Sequence, residues 1–306
     1  MQKRDFRDFS TFLFFVLPGF IVYILVVAYP IVYSVFLSFS DYNPNTARTS
    51  GWSLVGLSNY TRMFQDSSFW YAFKNNMIVV AISIFGQIPI GFILAFILFR
   101  KQIKASSFFQ SMVFLPQFLS TIVIGIMWRL IFAVDGPVSR LMQMFSGDPN
   151  RQFMMMHQKE TAMIPIAIAL IWMYTGFYMI IFLANLQKID DSMVEAAKID
   201  GANEIQVFTK LIVPLLAGTI LVSCILAIAG SLKGFALIFS ITSEGITRTN
   251  VEVLPIFMYR MAFQNPSNPL RFAYGAAISN VIVVISIVMI LVSRWIGKKL
   301  GTDEEY

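Results

Sequence analysis

Few side chains in this sequence can do covalent chemistry. His157 is the only histidine and Cys224 the only cysteine, so the chain assembles no His/Cys metal cluster and no internal disulfide. The sequence has no His-Glu-x-x-His helix and no Gly-x-Ser-x-Gly elbow, so metal and nucleophile chemistry are unsupported. It also lacks a Gly-x-x-x-x-Gly-Lys-Ser/Thr loop to cradle nucleotide phosphates. The expectation is a chain that is not an enzyme and binds no metal or cofactor of its own. What remains is a cluster of small and charged residues between positions 188 and 214, and two cations, Arg129 and Lys233, each bordering a long apolar run.

The elements that must position these residues are set by composition. Of the 306 residues, 57% are hydrophobic and 13% charged, and Phe alone occurs 30 times. Ordinary soluble chains carry about 25% charged residues, so this one cannot cover a soluble surface of normal polarity. Windows 9–40, 75–99, 105–128, 161–187, 211–232 and 272–293 contain no Asp, Glu, Lys or Arg. Each exceeds the roughly 20 residues a helix needs to cross a bilayer core, and the runs are continuous where a barrel would alternate. The fold class is therefore an all-α membrane protein. Six transmembrane helices are expected at about 11–38, 73–99, 106–131, 162–186, 212–241 and 273–295, in one domain covering 1–306. The first run is too long for a cleaved signal h-region.

Six spans put both termini on one side. With the N-terminus inside, twelve Lys and Arg fall on the inner segments and nine on the longer outer loops. Basic segments mark the cytoplasm, so cytoplasmic N- and C-termini are expected, in a plasma membrane. The net charge of +6 fits basic loops and gives no reason to expect nucleic acid. Arg129 and Lys233 have two readings: snorkelling at a span end, or, for Lys233, facing a water-filled cavity. No span centre carries a carboxylate of the kind ion-coupled carriers use. An ion-coupled secondary transporter or channel subunit is the alternative reading. A transporter's build without a means of coupling to energy implies an energised partner.

The segment 188–214 is expected on the cytoplasmic face. Ser192 and Glu195 have capping-box spacing, so a helix is expected to start there. Gly201 suits the left-handed position that closes it. Asn203 and Gln206 repeat the start signal, and Pro214 stops or kinks the second helix. Ala196 and Ala197 keep one side slim, and Met193 and Val194 offer apolar contact. A slim helix on a rigid turn suits insertion into a partner's groove. Read from local physics alone, the loop is equally a plain connector.

Glu195, Ala196, Ala197, Asp200, Gly201 and Ala202, followed by Ile212, Pro214 and Leu215, resemble the signature loop of the membrane subunits of binding-protein-dependent ABC importers. Val55-Gly56-Leu57-Ser58-Asn59-Tyr60, Phe114-Leu115-Pro116, Trp172, and Leu183-Ala184-Asn185 are similar to its sugar-permease branch, the maltose and glycerol-phosphate importers. The family's glycine pair and proline are missing near Thr242.

The resemblance implies a complex of this chain with a second, homologous permease as a heterodimer, two ATPase subunits that bind ATP and Mg, and an extracytoplasmic solute-binding protein. Membrane lipid surrounds it. Residues 188–214 become the ATPase-coupling loop, carried by Glu195, Ala196, Ala197, Asp200, Gly201, Ala202 and Pro214. The substrate path, for a sugar or oligosaccharide, is lined by the spans flanking that loop: by position Met173, Tyr174 and Phe177, then Ala227, Gly230, Ser231 and Gly234. Ordinary helix packing through small residues is an equal reading of those seven.

Overall fold

The computed structural model describes residues 2–44, 51–100, 105–148, 154–242, 251–264 and 271–299. Among them there is no strand, only an isolated antiparallel bridge between Ser40 and Leu54. Helix α1 runs over residues 2–38, α2 over Ser58–Gln65, α3 over Ser67–Phe99, α4 over Ser106–Phe118 and α5 over Thr121–Ile131. Helix α6 covers Pro137–Ser146, α7 Met163–Leu186, α8 Asp191–Ile199, α9 Glu204–Leu215 and α10 Ala217–Lys233. Short α11 (Ala236–Ile241), α12 (residues 254–264) and the long α13 (Arg271–Lys299) complete the chain.

Within α1, α3, α7 and α13 lie segments long and apolar enough to cross a membrane unaided. The expected third and fifth spans, 106–131 and 212–241, are not single helices. Helices α4 and α5 meet at a 98° bend, and α9 and α10 at 72°. The first break follows Pro116 in the 3-10 turn Leu115–Phe118, with Leu119 and Ser120 extended. The expected fifth span breaks again at Gly234, whose ψ of 103° leaves the helix.

Three further prolines are accommodated without a break. Pro30, Pro89 and Pro214 each follow by two residues a π-helical stretch: Ile24–Ala28, Ser83–Gln87 and Val207–Ile212. In each case the residue just before the proline donates its N–H five residues back: Tyr29 to Ile24, Ile88 to Ser83 and Val213 to Phe208. A proline lacks that N–H and its ring crowds the carbonyl four residues earlier. The wider turn moves that carbonyl aside.

The chain divides into two compact units, residues 1–69 with 257–283 and residues 70–256 with 284–306. In the first, the Val55–Tyr60 motif locks the chain after α1. Gly56 takes φ +59°, and the buried Asn59 amide donates to the carbonyls of Ser38 and Ser40, both at 2.8 Å. The hydroxyls of Tyr60 and Ser38 lie 2.7 Å apart. Asn280 on α13 donates to the Ser34 carbonyl at 3.3 Å, and Tyr274 lies under the Arg62 guanidinium.

In the second unit α7 is the central helix. A Cβ on Gly91 of α3 would come within 2.9 Å of the Thr175 carbonyl, and one on Gly176 would collide with the Val113 carbonyl of α4. Glycines let these backbones approach closely. Phe92 and Phe182 stack at 4.4 Å in the same seam. Buried amides complete the packing: Gln117 donates to the Met173 carbonyl at 3.2 Å and Gln87 to the Leu170 carbonyl at 3.3 Å.

Candidate translocation cavity and docking loop

A cavity of about 410 Å³ opens in the second unit, within the size range of small-molecule sites. Helix α3 contributes Val79, Ser83 and Gln87; α7 contributes Leu170, Tyr174 and Tyr178; α10 contributes Ala227, Gly230 and Ser231. The chain leaving α10, from Lys233 through Phe235, closes the lining with α11. The break at Gly234 is what lets this chain turn along the wall. Its geometry is held from α3: the Asn76 amide donates to the Ser231 carbonyl at 3.1 Å, and the Ser83 and Ser231 hydroxyls lie 2.9 Å apart. The π-helical turn Ser83–Gln87 places both of its polar end residues on the cavity.

Of the seven expected path residues, Tyr174, Ala227, Gly230, Ser231 and Gly234 line this cavity. Met173 and Phe177 do not. Met173 is buried in the core against α5 and α11, and Phe177 is partly exposed, edge-on to Tyr178. The lining residues of α7 recur at steps of four, 170, 174 and 178, and 173 and 177 lie on the adjacent face. Ser83, Gln87, Tyr178 and Phe235 were missed from sequence. Tyr178 was findable as the i+4 neighbour of Tyr174; Ser83 and Gln87 were visible only as polar residues within an apolar run.

Lys233 lines the cavity and is the one charged residue lining it among those described. It is the last residue of α10, where the helix-end carbonyls favour a cation.

The loop 188–214 forms a helix, a turn and a second helix. The starting cap differs from expectation. Asp190, not Ser192, is the N-cap, accepting from the Ser192 N–H at 2.9 Å, and this bond lowers the Asp190 pKa from its ordinary value. Glu195 is exposed and engages no partner among the described residues. Asp190 wins because its side chain already reaches the first orphan N–H groups of α8.

The reciprocal capping box belongs to Asn203 and Gln206, with bonds of 2.8 and 2.9 Å. Gly201 at φ +85° closes α8. Ala202 N–H donates to the Ala197 carbonyl and Gly201 N–H to that of Lys198, both at 3.0 Å, the pair of bonds that defines a Schellman turn. Pro214 lies inside α9, and the kink expected there falls two residues on, at Leu216.

Electrostatics tie the turn together. Glu204 accepts from Lys198 at 2.7 Å and from Arg100, the residue after α3, at 3.2 Å through both oxygens. Lys198 and then Arg100 hold the Glu204 carboxyl below its ordinary pKa. On the outside of the turn, Ile199 and Ile205 are 86% and 74% exposed. Large apolar groups so open beside a rigid turn are suited to a partner surface.

Membrane-length apolar helices around a lined cavity are the build of a membrane transport subunit. The chain belongs to the family of binding-protein-dependent transport system inner membrane components, which it matches over residues 87–302. It is 31% identical over 277 residues to the lactose transport system permease protein of Rhizobium radiobacter, covering 90% of each chain. It is 29% identical over 291 residues to a probable ABC transporter permease protein of Pyrococcus horikoshii, covering 94% of this chain and 96% of that one. Its fold matches a chain in the crystal structure of a bacterial alginate ABC transporter in complex with an alginate pentasaccharide-bound periplasmic protein, with a TM-score of 0.82, 19% identity and 99% of both chains covered. The protein is thus an ABC importer permease and not itself an enzyme.

Proposed function

We propose that this permease forms half of the translocation path for a sugar or oligosaccharide handed over by an extracytoplasmic binding protein. The observation that carries the solute class is the cavity wall itself. Tyr174 and Tyr178 offer ring faces, and Ser83, Gln87 and Ser231 offer hydrogen-bonding groups beside them. Amphipathic rings flanked by neutral polar groups suit a polyhydroxylated ring. The lactose permease relative supports the same class.

The bent pairs α4–α5 and α9–α10 each count as one span in this reading, giving six spans in a single transmembrane domain over 1–306, with cytoplasmic termini. The turn around Gly201 then faces the cytoplasm. A second, homologous permease completes the path, and two ATPase subunits bind ATP and Mg. Residues Glu195, Ala196, Ala197, Asp200, Gly201 and Ala202, with Pro214 behind them, form the docking site for one ATPase. Closure of the ATPases moves that loop and switches access to the cavity, since packed interfaces move between discrete arrangements.

Two measurements test this. Reporter fusions after Asp148 are expected outside and after Asp200 inside; the reverse pattern overturns the topology. The solute carried by the binding protein encoded beside this permease is expected to be a saccharide, and a strain lacking the permease is expected to lose its uptake. An amino acid or an inorganic ion on that binding protein overturns the solute class.

A further inference from the structure

The docking loop and the cavity are joined by two routes. Along the chain, α9 leads to α10, but the helix axis bends by 72° at Leu216. Through space, α9 is fastened to α3, which has no such break between Arg100 and the cavity. Phe208 of α9 sits 4.9 Å from the rings of both Phe92 and Phe96 of α3. At the end of α3 the Arg100 guanidinium bonds both oxygens of Glu204 at 3.2 Å, and Arg100 is only 16% exposed. Lys198 of α8 bonds the same carboxylate at 2.7 Å, so Glu204 gathers both helices of the loop onto α3. From Arg100, α3 rises about 1.5 Å per residue to Gln87 and Ser83 on the cavity wall, roughly 20 and 25 Å away.

We propose that the Arg100–Glu204 pair is the positioning link through which movement of the docking loop drives α3, and with it the wall bearing Ser83 and Gln87. The proposal rests on the cavity and loop roles given above. A fork-shaped guanidinium bonded to both carboxylate oxygens fixes direction as well as distance, which a lone Lys–Glu contact does not. The wide turn Ser83–Gln87 is a place where a displaced helix can readjust its register.

The test uses the complete importer, with its ATPases and second permease, in nanodiscs. Cys224→Ser removes this chain's only native thiol, and Ser83→Cys reports on the wall through its labelling rate with a small charged methanethiosulfonate reagent, read on this subunit after the complex is separated. Rates are compared without nucleotide and after trapping with ATP, Mg and vanadate. Lys198→Ala is present throughout, so that only the pair is read.

The parent is expected to change its labelling rate at least fivefold on trapping. Arg100→Glu and Glu204→Arg are each expected to cut the change below twofold with the ATPases still bound, and the double charge swap to restore at least half of it. Single reversals that keep the full change, or a swap that restores nothing, overturn the link. Gly201→Asp serves as the control. Its loss of the nucleotide response alongside unaffected single reversals overturns the link alone; a full response in Gly201→Asp overturns the docking role of the loop. No change in the parent overturns both the cavity as the path and the link that depends on it.

Discussion

Asn76 grips Ser231: its amide donates to the Ser231 carbonyl at 3.1 Å, and its side-chain oxygen accepts from Leu254 N–H at 3.1 Å. All three residues are buried. One side chain of α3 thereby holds both the end of α10 and the start of α12.

Asn76→Ala leaves the buried Leu254 N–H without its partner and the Ser231 carbonyl with only the 3.4 Å bond from Gly234 N–H. An orphaned buried group costs about 1–3 kcal/mol. The detergent-solubilised subunit is expected to lose several degrees of thermal stability, and Asn76→Asp, which can no longer donate, to lose at least as much. Unchanged melting in both variants would show that the bonds are replaced elsewhere.

Tyr174 and Tyr178 line the cavity, and Phe177, between them in sequence, does not. Uptake assays are expected to separate them: Tyr174→Ala and Tyr178→Ala each lower the apparent affinity or rate at least fivefold, and Phe177→Ala keeps more than half of the parent rate. Equal losses in all three would assign the tyrosines to packing.

Gly230 gives the cavity a steric test. A Cβ there meets nothing within 4 Å, and replacing a mid-helix glycine by alanine gains about 0.5–1 kcal/mol. Gly230→Ala is expected to transport normally and melt no lower than the parent. Gly230→Phe fills the cavity and is expected to abolish uptake while the complex still assembles, checked by gel filtration and stimulated ATP hydrolysis.

At the docking loop, a Cβ on Gly201 meets nothing within 4 Å among the described residues, so its φ of +85° is what resists substitution, at roughly 1–2 kcal/mol. Gly201→Asp is therefore expected to insert at near-normal level and to lose most uptake. Glu195→Ala removes no bond among the described residues and is expected to be milder. Asn203→Ala, which removes the capping box, costs about 1 kcal/mol and is read by melting. ATPase recruitment and uptake that stay normal in Gly201→Asp would make the loop a connector.

Glu204 sets a pH dependence. Its pKa is lowered in the folded state by Lys198 and Arg100, so its stabilising contribution is present above the ordinary glutamate value of 4.5 and is lost as pH falls through the lower folded value. The Glu204 side chain is 41% exposed, so salt also weakens the pair. Melting of the parent is expected to fall more steeply than that of Glu204→Gln below pH 4.5, and the gap between them to narrow in high salt. Parallel curves would show that the network adds nothing to stability.

Much of this molecule is legible in its sequence because a bilayer imposes long charge-free runs, and four of those runs overlap the long apolar helices α1, α3, α7 and α13. The turn after α8 is equally legible. Gly201 and Ala202 follow a short helix, and a left-handed closing residue is a local requirement that nearby residues meet. Asp190 and Ser192 both carry side chains that can cap a helix, and only the backbone path chooses between them. The breaks at Leu119–Ser120 and Gly234 lie inside expected spans, where a proline or glycine permits a turn without requiring one. Helix α7 is apolar on every side, so its sequence has no asymmetry to say whether Tyr174 and Tyr178 or Met173 and Phe177 face the cavity. That choice belongs to the tertiary structure: close approach at Gly91 and Gly176 sets the rotation of α7 against α3 and α4, and the rotation decides which residues meet the open space.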